Sequence, residues 1–183
     1  VETVGPPFRT NQVKIAEDGE ILIKGENVML GYWNLKEETE KAIKEGWLHT
    51  GDIGEIDNEN YLKITDRKKS IIVTSAGKNV APAPLENALA TSTYIELVMV
   101  IGDKRNFISA VIVPAIDSIS AYLESEGKSI SSPQAMVDHP LVVDLINSEV
   151  DRLMENFSNY ERVKKSVLLA EPLSIERGEL TPK

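Results

Sequence analysis

The sequence predicts an α+β protein in two parts: a small β-rich part, followed by a part in which antiparallel strands are covered by helices. Residues 1–65 carry short runs of alternating apolar and polar residues separated by turn residues, a pattern typical of strands. Later, apolar runs of strand length alternate with stretches at helical spacing. The charged segment Asp66-Arg67-Lys68-Lys69 separates the two patterns, so we predict domains at 1–66 and 67–183.

The first part begins with two short strands joined by a tight turn and ends in a β-hairpin. The alternation of apolar and polar residues predicts the strands, and Asp-Gly predicts the turn between the first two. A glycine ends the short helix that precedes the hairpin. The predicted elements are strands at Val13–Ile15 and Ile21–Ile23, a helix at Thr39–Ile43, and a hairpin over Trp47–Thr65 with its tip at Asp57–Asn60.

The second part alternates strands and helices. Two prolines can open its first helix, a glycine ends the next, and apolar residues at helical spacing mark the longest. The predicted elements are strands at Ser70–Thr74, Ile95–Ile101 and Phe107–Val113, a loop at Ser75–Asn79, and helices at 82–90, Asp117–Glu126 and Leu141–Phe157.

Composition excludes several classes of protein. The chain has 183 residues, with 20 Lys and Arg against 29 Asp and Glu, a formal charge of −9 and no cysteine. Disulfides, thiolate metal sites and thiol nucleophiles are therefore excluded, and the acidic balance argues against a nucleic-acid partner. No apolar run approaches the ~20 residues of a transmembrane helix. Because the chain opens at Val1 and stops at Lys183 without features of a terminus, we expect a piece of a longer protein.

One short segment opposes the overall charge. From Asp66 to Lys78 the chain carries four basic residues and one acidic residue. A basic island beside a loop of small residues suits an anionic ligand such as a phosphate. The alternative is a solvated turn with surface lysines.

The predicted hairpin brings Asp52 and Arg67 near each other. A carboxylate accepts hydrogen bonds from the two hydroxyls of a ribose, and an arginine offers fixed donors that keep their charge. The pair is therefore a candidate grip for a nucleotide sugar. The alternative is a strand-end turn with a weak surface ion pair.

Six motifs in order resemble those of adenylate-forming enzymes, which include acyl-CoA synthetases, firefly luciferase and peptide-synthetase adenylation domains. The insertion at Ala121–Pro140 and the helix after it are similar to the long-chain acyl-CoA synthetases. The motifs are the runs Glu20–Gly25, Val28–Tyr32, Gly46–Asp52, Tyr61–Lys69, Thr74–Pro82 with Leu85-Glu86, and Ile175–Pro182.

This resemblance implies a role for each matching residue. Asp52 and Arg67 would bind the ribose of ATP, and Ile64 would lie near the nucleotide. Lys69 would be the hinge about which a C-terminal lid domain swings between the two half-reactions. The lid would be residues 67–183, truncated before the final lysine motif. The loop that would face CoA and its pantetheine consists of Ser75, Ala76, Gly77 and Lys78, and many relatives have a glycine where Ala76 stands.

The implied parent enzyme is a long-chain fatty acid–CoA ligase that uses ATP, Mg²⁺ and CoA to convert a fatty acid to acyl-AMP and then to the thioester. Its partners would be these small molecules and a missing N-terminal domain of the same chain, with no nucleic acid and no transmembrane segment. Its location would be cytoplasmic, including the inner membrane face. The catalytic lysine is expected two residues beyond Lys183, and no metal ligands are predicted. We therefore expect this piece to be inactive and to bind no cofactor tightly.

Two alternatives stay open. One is an acyl-AMP ligase that loads a carrier protein. The other is a non-catalytic module that binds a nucleotide or CoA.

Overall fold

The α+β class is confirmed by a computed structural model that describes residues 3–181. The chain divides into two compact units, Val1–Ile71 and Ile72–Lys183. Unit 1 is mostly antiparallel strand, and unit 2 combines a small sheet with helices.

Unit 1 is built on one long strand that pairs with its neighbours at different points along its length. The order is β1-β2-β4-β3, with β5 also paired to β4, and every pairing is antiparallel. A single 3-10 turn, Lys68–Ser70, follows β5. The elements are β1 (Asn11–Ile15), β2 (Glu20–Gly25), α1 (Lys36–Ala42), β3 (Ile43–Lys44), β4 (Trp47–Ile56) and β5 (Leu62–Arg67).

Unit 2 contains a two-stranded hairpin, a three-stranded sheet and four helices. Its elements are β6 (Ile72–Val73), β7 (Asn79–Val80), α2 (Pro82–Leu89), β8 (Ile95–Ile101), β9 (Ile108–Pro114), α3 (Ile116–Ser125), α4 (Pro133–Val137), α5 (Pro140–Leu153) and β10 (Val163–Leu168). The three-stranded sheet has the order β10-β9-β8. β8 and β9 run antiparallel, as predicted, whereas β9 and β10 run parallel.

The core of unit 2 lies where the helices cover this sheet. Ile108 and Ile112 of the central strand are 0 % exposed, and Leu89, Ile119 and Ile146 of three helices are equally buried. Proline at the first turn opens α2 and α5, since its missing N–H would have no partner there. His139 caps α5, because its Nδ1 accepts a hydrogen bond from the Leu141 amide at 3.3 Å.

Several elements differ from the prediction. The predicted strand 70–74 is reduced to the 3-10 turn and the two-residue β6, and the predicted loop 75–79 is the tight turn that leads into β7. The longest helix ends at Leu153 rather than Phe157, although Met154 stays 1 % exposed in the same core. Neither α4 nor β10 was predicted. Between residues 3 and 181, no helix has the length and apolar character needed to cross a membrane.

Candidate functional site

The hairpin of β4 and β5 places Asp52 directly opposite Arg67, as its length predicted. Arg67 Nε lies 2.9 Å from Asp52 Oδ1, and the arginine side chain is 76 % exposed while the aspartate side chain is 24 % exposed. The contact lacks the alignment of a hydrogen bond: Asp52 Oδ1 is buried and accepts none from any residue in the described range. The exposed guanidinium of Arg67 therefore covers Asp52 Oδ1, an acceptor that has no donor. A ligand hydroxyl could displace the guanidinium and donate to that oxygen.

The backbone at Asp52 is kinked by its neighbours. Gly51 has a φ of +74°, a left-handed conformation that favours glycine, in the middle of β4. Thr50 Oγ1 donates to the Ile21 carbonyl oxygen at 2.8 Å and accepts from the Asp52 amide at 3.1 Å. The side chain of Thr50 thus links the kink at Gly51 to β2 and fixes the position from which the Asp52 side chain projects.

A buried carboxylate, Glu20, lies behind this kink. The residue is 3 % exposed. Its Oε1 accepts from the Gly51 amide at 3.0 Å, and its Oε2 contacts His49 Nδ1 at 2.8 Å and Lys68 Nζ at 2.9 Å. Lys68 also contacts Asp18 Oδ2 at 2.6 Å. We call Asp18, Glu20, His49 and Lys68 the Glu20 cluster.

Asp18, Glu20 and Lys68 hold one another in their charged forms. Burial alone would raise the pKa of Glu20, but hydrogen bonds from His49, Lys68 and Gly51 outweigh it and hold the pKa below its ordinary value. The hydrogen bond from Lys68 lowers the pKa of Asp18. The bonds to Asp18 and Glu20 raise the pKa of Lys68. The cluster is therefore a network of charges that stabilise one another.

Two of the four basic residues in the basic island, Asp66–Lys78, already have carboxylate partners. Arg67 is paired with Asp52, and Lys68 is paired with two carboxylates. Lys69 is exposed in the 3-10 turn and lines a cavity of about 340 Å³ together with Glu20, His49 and Lys68. Ile64, predicted to lie near a nucleotide, is 47 % exposed on β5. Half of the predicted cationic charge is thus already balanced within the protein.

The predicted CoA loop is a well-bonded turn in unit 2. The Thr74 amide donates to the Lys78 carbonyl oxygen at 3.0 Å, and the Lys78 amide donates to Thr74 Oγ1 at 3.1 Å. The Ser75 amide donates to the Arg105 carbonyl oxygen at 3.0 Å, and Ser75 Oγ lies 2.7 Å from Asn106 Oδ1. The loop is therefore fixed at both its base and its side.

Only one position of this loop requires glycine. Gly77 has a φ of +72°, and a Cβ there would meet nothing within 4 Å. Ala76 has no such positive φ, so alanine sits there without backbone strain. Lys78 Nζ lies 5.7 Å from the centre of the Tyr160 ring, within the range of a cation–π contact. The loop therefore presents a rigid backbone and one lysine.

Metal binding finds no support in the part of the chain that the structure describes. No group of three or more His, Asp or Glu side chains there could hold a metal ion. The acidic pair Asp18 and Glu20 is occupied by Lys68. Among residues 3–181 nothing fits a resident Mg²⁺. Pro182 and Lys183, which lead to the expected catalytic lysine, lie outside the described residues.

Sequence reasoning missed Glu20 and Asp18. Glu20 opens the first of the six motifs, but the resemblance implies no role for it. One signal was available, since Glu20 stands at the start of an apolar strand directly after a turn. A charged residue at a buried strand position usually has a charged partner.

The family described as AMP-binding enzyme C-terminal domain matches residues 69–183. Among curated proteins, the long-chain fatty acid–CoA ligase FadD15 of Mycobacterium tuberculosis is 37% identical over 183 residues. The match covers 100% of this chain and 30% of that protein. Long-chain fatty acid–CoA ligase 5 of Mus musculus is 34% identical, covering 98% of this chain and 28% of that protein. The chain thus spans about 30% of the length of the curated relatives it matches.

Solved structures share the fold. O-succinylbenzoate coenzyme A synthetase of Bacillus subtilis, in complex with AMP, matches with a TM-score of 0.65 and 26% identity, covering 100% of this chain and 36% of that one. The adenylation domain of a carboxylate reductase from Mycobacterium chelonae matches with a TM-score of 0.69 and 24% identity, over 94% of this chain and 27% of that one. This second likeness supports the fold alone.

Proposed function

The chain belongs to the family of AMP-binding enzyme C-terminal domains, and we propose that it is the C-terminal part of a long-chain fatty acid–CoA ligase. In the proposed reaction a fatty acid carboxylate attacks the α-phosphate of ATP, giving acyl-AMP and pyrophosphate. The thiolate of CoA then attacks the acyl carbonyl, the thioester forms, and AMP leaves. The similarity to long-chain ligases of a bacterium and a mammal supports this substrate class.

The observation that carries the proposal is the acceptor at Asp52. Its Oδ1 is covered by an exposed arginine and accepts no hydrogen bond within residues 3–181. We infer that the ribose hydroxyls of ATP donate to this carboxylate once Arg67 moves aside, and that Arg67 then binds the same sugar. Ile64, exposed on the adjoining strand, would offer an apolar contact near the nucleotide.

We assign residues 1–66 to the end of the large adenylation domain and residues 67–183 to the mobile lid, with Lys69 as the hinge. Two features of unit 1 support this. Ile21 and Leu22 are its only buried apolar side chains in the described range, a small core for a unit of this length. Leu30 and Trp33 are 103% and 88% exposed, as expected of surfaces that another part of a larger domain covers.

For the second half-reaction we assign the turn Ser75–Lys78 to CoA. A turn without a bulky side chain lets an extended chain such as pantetheine approach the backbone closely, and Lys78 offers a point charge for a phosphate. We extend the proposal to a cytoplasmic location, where ATP and CoA are available, including the inner membrane face.

The test uses the full-length enzyme that contains this chain. It is incubated with palmitate, ATP and CoA, and acyl-CoA and AMP are measured with each substrate omitted in turn. Asp52→Asn removes one charged acceptor and is expected to raise the KM for ATP about tenfold. Glu55→Gln, an exposed change on the same strand, is the control. Absence of product, or an unchanged KM in Asp52→Asn, would overturn the proposal.

Lys78→Ala separates CoA from a carrier protein as the acyl acceptor. We expect it to slow thioester formation with CoA and to leave acyl-AMP formation unchanged. A change confined to acyl-AMP formation would contradict the role of Lys78. The 183-residue chain alone is expected to release no pyrophosphate from ATP and fatty acid, and turnover by it would contradict the need for the missing parts.

A further inference from the structure

Glu20 contacts two segments that the proposed function uses, one next to the nucleotide-binding Asp52 and one next to the hinge Lys69. Through Oε1 it holds the Gly51 amide, next to Asp52, and through Oε2 it holds Lys68, next to Lys69. It does so from a third element, the start of β2. We propose that Glu20 is a positioning residue that sets Asp52 for nucleotide binding and anchors the residue before the hinge. This rests on the proposed function.

The first half of the argument concerns Asp52. The left-handed Gly51 makes β4 irregular, and the pairing register of β2 with β4 shifts between Glu20 and Leu22. The Gly51 amide therefore lacks a regular strand partner, and the Glu20 carboxylate supplies one. A half-buried amide left without an acceptor is costly, so the carboxylate stabilises the kinked backbone over a straight strand. The kink decides where the Asp52 carboxylate points.

The second half concerns Lys68. Its Nζ lies between two carboxylates, 2.6 Å from Asp18 Oδ2 and 2.9 Å from Glu20 Oε2. Asp18 is itself held, because its Oδ1 accepts from the Glu20 amide at 3.2 Å. Lys69 forms no ion pair within residues 3–181 and is exposed. The side chain of the lysine before the hinge is thus clamped, whereas the side chain of the hinge lysine is not, and a single 3-10 turn closed by the Ile71 amide and the Lys68 carbonyl oxygen at 3.4 Å holds its backbone.

The geometry therefore places the boundary between fixed and mobile backbone between Lys68 and Lys69. Any rotation about Lys69 would leave Lys68 and Gly51 in place, because Glu20 holds both and Asp18 also holds Lys68. Asp52 would stay with Gly51, which it follows directly in β4. This arrangement explains why a glutamate is buried at a strand start, where an apolar side chain would pack at lower cost.

The test measures the two half-reactions separately in the full-length enzyme. Glu20→Met keeps the length of the side chain but removes both acceptor oxygens, and we expect the KM for ATP to rise about tenfold while the KM for fatty acid stays within twofold. Lys68→Gln is expected to change the ratio of thioester-forming to adenylate-forming rates at least threefold, and Lys68→Arg to restore it, since arginine reaches the same carboxylates. Glu55→Gln and Lys44→Gln, both exposed in unit 1, are the matched controls.

Hydrogen exchange provides a readout that needs no activity. Exchange of the Gly51 amide should accelerate at least tenfold in Glu20→Met, which removes the acceptor, and stay unchanged in Glu55→Gln. If the wild-type enzyme makes no acyl-CoA but Gly51 exchange behaves as expected, the proposed function fails and the positioning by Glu20 stands. Unchanged Gly51 exchange, or loss of stability with an unchanged KM for ATP, overturns the inference. If Glu20→Met does not fold, the half-exposed Lys68 still provides the test: an unchanged rate ratio in Lys68→Gln overturns the inference.

Discussion

Replacing Gly54 by alanine should destabilise unit 1, because Gly54 lies where the β4–β5 hairpin packs on Ile21. A Cβ at position 54 would lie 2.7 Å from Ile21 Cδ1 and closer still to the Lys63 carbonyl oxygen. Ile21 is 2 % exposed and belongs to the small core of the unit, so it has little room to move. The carbonyl oxygen belongs to the paired strand β5 and cannot rotate away.

The magnitude follows from these two contacts. Overpacking of this kind costs about 1–3 kcal/mol. Separation of the strands also weakens about one ladder hydrogen bond, worth about 1 kcal/mol. We therefore expect about 3 kcal/mol in total. For a unit of this length, each kcal/mol lowers the melting temperature by roughly 4–8 °C, which gives a fall of about 12–24 °C.

Tryptophan fluorescence reports this unit alone. The chain has two tryptophans, Trp33 and Trp47, and both lie in unit 1. Trp47 is half-buried on β4, with Lys14 Nζ 4.2 Å from its ring centre, so its emission depends on the intact sheet. Thermal melts of the wild type and Gly54→Ala, followed by this emission, measure the shift directly.

The comparison variant is Gly77→Ala in unit 2. There the alanine meets no atom within 4 Å, and only the φ of +72° is unfavourable, at a cost of about 1–2 kcal/mol. A fluorescence transition in Gly54→Ala that lies within 3 °C of the wild type would refute the steric reasoning. Equal effects of the two variants on the fluorescence transition would refute it as well.

Three further predictions concern stability. The pKa of Glu20 is lowered on folding. Its contribution to stability is therefore present above about pH 4.3 and is lost as the pH falls through the lower folded value. The urea midpoint measured by tryptophan fluorescence should fall between pH 6 and pH 3, and it should fall less in Glu20→Gln. Ile112→Ala, at a residue 0 % exposed, should cost about 2–5 kcal/mol by circular dichroism at 222 nm, whereas Val167→Ala, at a residue 60 % exposed, should change stability by less than about 0.5 kcal/mol. His139→Ala removes the cap of α5 and should cost about 1 kcal/mol in the same assay, and His139→Asn should recover it because asparagine is a strong helix cap; a loss equal to that of alanine would argue against the cap.

Local signals made part of the site predictable. A turn with four polar residues between two strands sets the length of the β4–β5 hairpin, and that length brings Asp52 near Arg67. The exact pairing of the two also needs a register shift between Ile53 and Gly54, which the sequence did not predict. The order of the short motifs identified the family. In unit 2 the β8–β9 hairpin was predictable because its strands lie next to each other in sequence and are strongly apolar.

Long-range contacts made the rest inaccessible. Glu20 meets His49 and Lys68 only after β2, β4 and the 3-10 turn have assembled, and its neighbours in sequence say nothing of them. β10 carries Lys164 and Lys165 at exposed positions, so it lacks an apolar run, and its partner β9 lies far back in the chain. The end of α5 was predicted too late because Met154 continues the apolar stripe although the helix has ended.

The parallel pairing of β10 with β9 has a consequence for how the chain is synthesised. β8 and β9 can pair as soon as they leave the ribosome, but three helices separate β9 from the strand that completes the sheet. At typical rates of translation, that interval is about 3–10 s. During it, one edge of β9, among the most apolar strands of the protein, has unpaired amides and carbonyls that another nascent chain can use. A chain that stops before Leu168 keeps that edge open permanently, so we expect such truncations to aggregate rather than to accumulate as a folded, shorter unit.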